Sequence, residues 1–236
     1  MKVVADKKSK ARKPKQGALP FKSWGGARKG AGRKPKNGVA AGVKHEPREP
    51  LKSRHPAHVT LKLRSGLPRL RQKAEYAALR AAFVKGRDRF GFRLCHYAVL
   101  NDHLHLICEA ADLVALRRGL HGLAIRIARA LNRLWRRKGK VFADRYHQRA
   151  LTSPREVRNA LAYVLGNARH HAAEGRMVRA PHPIDTFTSA PWFDGFRERV
   201  TVRGLEAIAR PTTPARTWLL ETGWRRHGLL PLASSA

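Results

Sequence analysis

Acidic residues are scarce in this sequence. Asp and Glu together number 16 against 50 Lys and Arg, so the 236-residue chain carries a formal net charge of +34. Such an excess of positive charge repels itself unless a polyanion neutralises it, which indicates a nucleic-acid partner. A basic protein of a membrane surface is the alternative. That class needs a lipidation motif or one strongly amphipathic basic helix, and neither stands out.

Cysteines and long apolar runs are scarce as well. Cys95 and Cys108 are the only cysteines, too few for a disulfide scaffold or for a zinc site built on thiolates. No run of about 18 apolar residues is present, so the sequence predicts no membrane span. Residues 1–10 lack the apolar core of a signal peptide. We therefore predict a cytoplasmic protein without a membrane partner, associated with the nucleoid.

Composition divides the sequence into three segments. Residues 1–52 predict a disordered basic arm, 53–175 the main folded domain, and 176–236 an extension that packs on it. In the arm, residues 25–36 resemble the Gly-Arg-Pro arms that lie in A·T-rich minor grooves. The simpler alternative is a solvated tail that adds only salt-dependent affinity. The DNA-binding candidates of this arm are Arg28, Lys29, Arg33 and Lys34.

Hydrophobic periodicity predicts an α+β fold. Alternating and helical patterns follow one another as strand, helix, strand, strand, helix, strand, and then a further helix. The predicted bounds are His58–Arg64, Leu67–Lys85, Phe92–Leu100, His103–Glu109, Leu113–Arg137, Lys140–Leu151 and, from an N-cap at Ser153, a helix to His171. This order is typical of the ferredoxin-like or RRM-like split βαββαβ sheet, with helices on one face and an added C-terminal helix.

The two central strands are predicted to form a hairpin that turns at Asn101 and Asp102. If the turn has two residues, Leu100 pairs with His103 and the ladder continues from there. The same register pairs Ala98 with His105, His96 with Ile107, and Cys95 with Cys108. His96 would then share a face with the other two histidines, while the cysteines would meet on the opposite face as buried thiols.

His103 and His105 flank a single apolar residue within a strand. Because strand side chains alternate between faces, both imidazoles point to one side, while Leu104 and Leu106 face a core. Two neutral imidazoles on one face are suitable ligands for a divalent metal. The same triplet occurs often without a metal, so it needs further ligands to indicate a site.

The last predicted helix carries Tyr163 and Asn167, four residues apart and therefore on one face. A phenol is a poor nucleophile at its normal pKa of about 10. Beside a metal that polarises a phosphate, and among arginines, it can attack phosphorus and form a covalent ester. Asn167 can bring its amide oxygen to the same metal. Alone, each residue has an ordinary structural explanation, and only their joint occurrence in a basic chain favours a site. The auxiliary candidates are Asp102, His96, His170 and His171.

The helix over 113–137 is amphipathic, and its polar face is almost entirely arginine. A solvated face is the ordinary explanation of helix charges, but like charges without acidic partners destabilise a free helix. A DNA-facing surface is therefore the better interpretation. Its predicted members are Arg117, Arg118, Arg126, Arg129, Arg133, Arg136 and Arg137, with Arg145 from the segment that follows.

Three motifs in order resemble a known family. They are His103-Leu104-His105 after a hairpin, Gly139-Lys140-Val141-Phe142-Ala143-Asp144-Arg145-Tyr146, and Tyr163-Val164-Leu165-Gly166-Asn167. Over about residues 55–175 the sequence resembles the single-tyrosine HUH (IS200-like) transposases, and more closely the REP-associated tyrosine transposases. Each motif alone is a weak signal, whereas the ordered set is specific.

The resemblance implies a catalytic domain in which His103 and His105 bind Mg²⁺ or Mn²⁺, Asn167 is the third ligand, and Tyr163 is the nucleophile. The implied substrate is single-stranded DNA beside an imperfect hairpin, nicked to give a 5′-phosphotyrosine and a free 3′-hydroxyl. That hydroxyl can attack a second phosphotyrosine, so strands are rejoined without ATP.

Two positions depart from the family's pattern. Asp102 stands where Asn is common, and Ala168 stands where Pro is common. Two other functions stay open: a non-catalytic, domesticated hairpin-binding protein, and a metal nuclease that uses water. The second ranks last because the sequence lacks the carboxylate clusters of such sites. Whether the protein forms a homodimer and exchanges its tyrosine helices is also left open.

Overall fold

The computed structural model describes residues 50–166 and 184–232 in full and residues 167–173 as helix backbone. Within these residues no helix is long and apolar enough to cross a membrane. Residues 1–49 of the predicted basic arm, and with them Arg28, Lys29, Arg33 and Lys34, lie outside the described residues.

The described chain forms one five-stranded antiparallel sheet and four α-helices. The elements are β1 (Ala57–Lys62), α1 (Lys73–Gly86), β2 (Asp88–Arg89), β3 (Phe92–Val99), β4 (His103–Ala110), α2 (Leu113–Leu134), β5 (His147–Ala150), α3 (Pro154–Ala173) and α4 (Trp218–Glu221). The strand order is β2-β3-β4-β1-β5. Without the two-residue β2, this is the order of a split βαββαβ sheet, so the predicted ferredoxin-like α+β fold is confirmed.

The two faces of the sheet are covered by different helices. Leu104 and Leu106 of β4 are fully buried in a core with α1 and α2. Ile107, which points to the other face, is buried with α3 and the C-terminal extension. Because side chains alternate along β4, His103 and His105 share the face of α3.

The start of α3 is fixed by its cap. The backbone N–H of Glu156 donates to Oγ of Ser153 at 3.2 Å, as the sequence predicts. The Glu156 carboxylate accepts hydrogen bonds from the backbone and hydroxyl of Thr152, and these bonds lower its pKa. This cap sets the register in which α3 presents its later residues to the sheet.

Several predicted bounds were wrong at their ends. The helix expected from Leu67 begins only at Lys73, because Pro68 and the buried Leu70 lie in an irregular segment that bonds to the 100–103 turn. The helix expected to reach Arg137 ends at Leu134, since Arg136 adopts a left-handed backbone (φ 50°).

The predicted strand Lys140–Leu151 is divided in two. Phe142 forms an isolated bridge to Leu63, and regular pairing resumes only in β5. Between them the Asp144 carboxylate accepts a hydrogen bond from the N–H of Arg145 at 2.7 Å. Such a local bond competes with the sheet ladder, and the chain leaves the sheet over 143–146.

The predicted hairpin register is correct near the turn and wrong at its far end. Pairing runs as expected from Val99 to His96, but Leu94 then pairs with Cys108. Cys95 is the extra residue of a β-bulge and packs on the α3 side, whereas Cys108 lies in the core under α1 and α2. The cysteines therefore do not pair across the ladder, and burial raises the pKa of both thiols.

The C-terminal extension packs on the sheet through aromatic side chains. Phe193, Phe196 and Trp224 are buried there, whereas Trp218 is about half exposed (49%). The short helix α4 is capped by Thr217, whose hydroxyl accepts from the N–H of Leu220.

Candidate active site

Tyr163 of α3 reaches across to His105 of β4. Its Oη lies 3.4 Å from Nε2 of His105, and the rings meet edge to face with centroids 5.0 Å apart. Tyr163 is 37% exposed, whereas His105 is only 5% exposed. The phenol is therefore open to a macromolecular substrate while its imidazole partner is held inside the protein.

His103 lies beside His105 on the same sheet face. The two ring centroids are 4.8 Å apart and the rings are nearly perpendicular. Nδ1–H of His103 donates to Oδ1 of Asp102 at 2.7 Å. Burial opposes ionisation of this carboxyl, but the bond and attraction to His103, a backbone N–H bond and the charge of Lys62 together outweigh it and lower the pKa of Asp102. Asp102 therefore orients His103.

Two further residues of this site come from β1, and sequence reasoning missed both. Thr60 lies directly opposite His105 in the ladder, and its Oγ1 is 3.2 Å from Nδ1 of His105. Nε2 of His58 is also 3.2 Å from that Nδ1. The ring of His58 additionally meets the ring of Tyr163 edge-on, with centroids 5.9 Å apart. Alternation in β1 indicated that these side chains share a face, but it did not identify β4 as the neighbouring strand.

A basic rim, defined here as Lys62, His147 and Arg149, lies beside these residues. Lys62 pairs with His103, while His147 and Arg149 of β5 pair with Thr60 and His58. Burial, followed by His147 and Arg149, lowers the pKa of His58 to about 4. His58 is therefore neutral at pH 7. The basic rim itself offers positive charge to an anionic backbone.

The histidines fit part of a metal site. Among the described residues, no group of three His, Cys, Asp or Glu side chains could hold a metal ion. The third predicted ligand, Asn167, and the auxiliary His170 and His171 belong to the part of α3 whose side chains are not described. The bond from His103 to Asp102 is nevertheless typical of metal-binding histidines, whose second ring nitrogen is held by a carboxylate. Imidazole donors suit Mn²⁺ better than Mg²⁺, which prefers oxygen.

His96 lies on the predicted face but in a different environment. It is 8% exposed, its ring meets that of Phe193 edge-on, and its Nδ1 is 3.4 Å from Oγ of Ser189. Burial, followed by Arg210, lowers its pKa to about 3. We therefore interpret His96 as a neutral core residue that joins β3 to the C-terminal extension.

The arginines of α2 lie on the opposite side of the sheet from Tyr163, because α2 covers the face to which Leu104 and Leu106 point. The exposed members are Arg117, Arg118, Arg129 and Arg133, together with Arg136, which lies beyond the end of α2. Arg126 is half-buried and donates to the carbonyl oxygen of Gly122 within α2, and Arg137, half-buried beyond the helix end, donates to Oδ1 of Asn132. Arg145 joins Arg117 and Arg118 around a cavity of about 450 Å³ between α2 and residues 142–146.

The fold and the site define an α+β protein with an exposed tyrosine held against a histidine cluster on one face of a split sheet. Neither a protein-family model nor a curated protein sequence matches the chain. Among solved structures it is similar to a REP-associated tyrosine transposase bound to a REP hairpin, with 16% identity and a TM-score of 0.49 over 62% of this chain and 82% of that one. So distant a likeness decides nothing about activity, which has to be argued from this chain's own residues.

Proposed function

We propose that this protein is a metal-dependent endonuclease and strand transferase of single-stranded DNA, acting beside an imperfect hairpin of the REP type. The observation that carries the proposal is the contact between Tyr163 Oη and His105 Nε2 at 3.4 Å, in which the phenol is exposed and the imidazole is buried. The ordered motifs that resemble the tyrosine transposases support the same chemistry.

The proposed step exchanges one phosphate ester for another. Oη of Tyr163 attacks phosphorus, a P–O bond to tyrosine forms, and the P–O3′ bond breaks. The phenol loses one proton to solvent, and the departing 3′-oxygen gains one. Attack of a 3′-hydroxyl on the phosphotyrosine reverses the exchange, so rejoining needs no nucleotide cofactor.

His103 and His105, with Asn167, would hold the proposed Mg²⁺ or Mn²⁺. A metal bound there supplies Lewis acidity that polarises a phosphate oxygen. The basic rim would bind neighbouring phosphates of the scissile strand, and Asp102 would keep His103 in one orientation.

The DNA hairpin itself is assigned to the arginines of α2. Arg117, Arg118, Arg129 and Arg133 are exposed, share one sign of charge and suit phosphates as bidentate partners. Because phosphate contacts release counterions, binding should weaken steeply as the salt concentration rises.

The test uses the full-length protein and single-stranded palindromic repeats from its own genome, end-labelled and incubated with Mn²⁺. We expect a covalent protein–DNA adduct that survives denaturing electrophoresis. Tyr163→Phe should abolish the adduct and leave hairpin binding within about twofold, since the phenol oxygen acts in catalysis and not in affinity. Tyr76→Phe, on the opposite side of the sheet, is the matched control. An adduct of normal yield with Tyr163→Phe would show that another residue is the nucleophile.

A second candidate function is hairpin binding without cleavage. It is favoured by the position of the α2 arginines, which lie across the sheet from Tyr163 and could bind DNA by themselves. Tight, salt-dependent hairpin binding with no adduct in either metal would support this function and contradict the proposed catalysis.

A further inference from the structure

His58 contacts both Tyr163 and His105. Its Nε2 lies 3.2 Å from Nδ1 of His105, and its ring meets the edge of the Tyr163 ring. It is placed there by β1, in which His58 and Thr60 point to the same face. Neither residue belongs to the motifs that suggested the site.

The shared contact at Nδ1 of His105 constrains its tautomer. Both Nε2 of His58 and Oγ1 of Thr60 approach this single nitrogen at 3.2 Å. One N–H can be shared between two acceptors in a three-centre bond, whereas one lone pair cannot serve two donors equally well. A hydrogen on Nδ1 leaves the lone pair on Nε2, which is the atom that faces Tyr163. The opposite tautomer would place a hydrogen between Nε2 and the phenol oxygen.

We propose that His58 and Thr60 are positioning residues that hold His105 in the Nδ1–H tautomer, with the lone pair of Nε2 directed to Tyr163. The part of this inference that concerns activity rests on the proposed function, while the tautomer itself does not. The same lone pair is the one that a bound metal requires. The ring of His58 also lies edge-on to the Tyr163 ring, with centroids 5.9 Å apart.

The first test needs neither DNA nor metal. Two-bond ¹⁵N–¹H correlation spectra of the metal-free protein distinguish N–H from lone-pair nitrogens, and His105→Gln assigns the signals of His105. We expect the hydrogen of His105 on Nδ1 in the wild type. In His58→Phe with Thr60→Val, which keep the shapes but remove both acceptors, the two tautomers should mix. A hydrogen on Nε2 in the wild type, or an unchanged spectrum in the double variant, would overturn the inference.

The second test measures metal binding and catalysis in the same variants. His58→Phe should weaken Mn²⁺ binding, followed by titration without DNA, and the adduct rate each by about 10- to 100-fold, the usual effect of removing a partner of a metal ligand. Hairpin affinity should stay within about twofold, because His58 makes no phosphate contact in this proposal. His58→Gln, which restores a polar atom, should recover part of the loss, and the exposed His227→Phe is the control.

The outcomes separate the two proposals. If the wild type forms no adduct but shows the Nδ1–H tautomer and its loss in the double variant, the catalytic function fails and the positioning role stands. If His58→Phe folds with a normal thermal transition and retains both Mn²⁺ affinity and adduct rate, the positioning role is wrong even though the enzyme is active. His58→Gln supplies the same comparison should the phenylalanine variant not fold.

Discussion

The stability of this protein should fall as the pH decreases towards 5.5, because it buries neutral histidines. His96 has a pKa of about 3 in the folded protein, lowered by burial and then by Arg210, and His58 has a pKa of about 4. An unfolded histidine titrates near 6.5. Below that pH these histidines bind protons in the unfolded chain but not in the folded protein. Their contribution to the free energy of unfolding is therefore fully present above about pH 7 and is lost as the pH falls towards the folded pKa.

The size of the effect follows from the unfolded pKa. Between about pH 7.5 and pH 5.5 each such histidine should lower the free energy of unfolding by roughly 1–2 kcal/mol. This figure does not depend on the exact folded pKa, provided that it stays well below pH 5.5. His96 and His58 together should therefore cost the wild type roughly 2–4 kcal/mol over this interval, a large part of an ordinary stability.

His96→Leu removes the contribution of His96 to the pH dependence of stability. Loss of the contact with Ser189 shifts the variant's stability by an amount that does not change with pH, so the slope is the quantity to compare. The assay is urea unfolding at constant ionic strength with a chelator present, since a bound metal would add its own proton linkage. We expect the variant to lose about half as much stability as the wild type on acidification. Parallel curves for both proteins would refute the reasoning that His96 stays neutral in the fold.

Three further predictions concern packing, buried charge and DNA. Gly119→Ala should destabilise the fold by about 1–3 kcal/mol in urea unfolding, because its Cβ would lie 2.1 Å from Cγ of Phe92. Glu109→Gln should cost about 3–5 kcal/mol, because this buried carboxylate balances a buried arginine and accepts backbone hydrogen bonds of the extension. Replacing Arg129 and Arg133 by Gln should reduce the slope of log K against log salt by about 1.8 in hairpin binding; an unchanged slope would remove both from the DNA surface.

The sequence predicted those parts of the fold that depend on local pattern. The alternation around His105 and the helical spacing of α2 reflect which side chains must be buried, so element types and the split-sheet order were correct. The bulge at Cys95 could not be predicted from the sequence, because an extra residue in one strand depends on how both strands pack against the helices that cover the sheet. For the same reason the departure of residues 143–146 from the predicted strand was missed.

For the candidate site, the sequence could predict only which residues of a single strand or helix lie on the same face. The relation of His103 to His105 follows from a period of two, and it needs no knowledge of tertiary structure. The contacts of His58 and Thr60 depend on which strand lies beside β4, and that pairing is non-local. The meeting of Tyr163 with His105 required the family resemblance, because nothing in α3 alone specifies which face of the sheet it covers.

The separation of arginines and tyrosine constrains how DNA can bind. The α2 surface and Tyr163 lie on opposite faces of the sheet, so a straight duplex cannot contact both. If the hairpin stem binds α2 as proposed, the unpaired strand has to pass around an edge of the sheet to reach the phenol. The β5 edge is suited to this passage. Arg145 lies at the α2 cavity, and His147 and Arg149, only two and four residues later, lie at the site. Phosphates of the strand would thus contact basic side chains along the whole path. The irregular segment 143–146 makes this possible, because it places Arg145 on the α2 side of the sheet and is followed directly by His147 and Arg149 on the Tyr163 side.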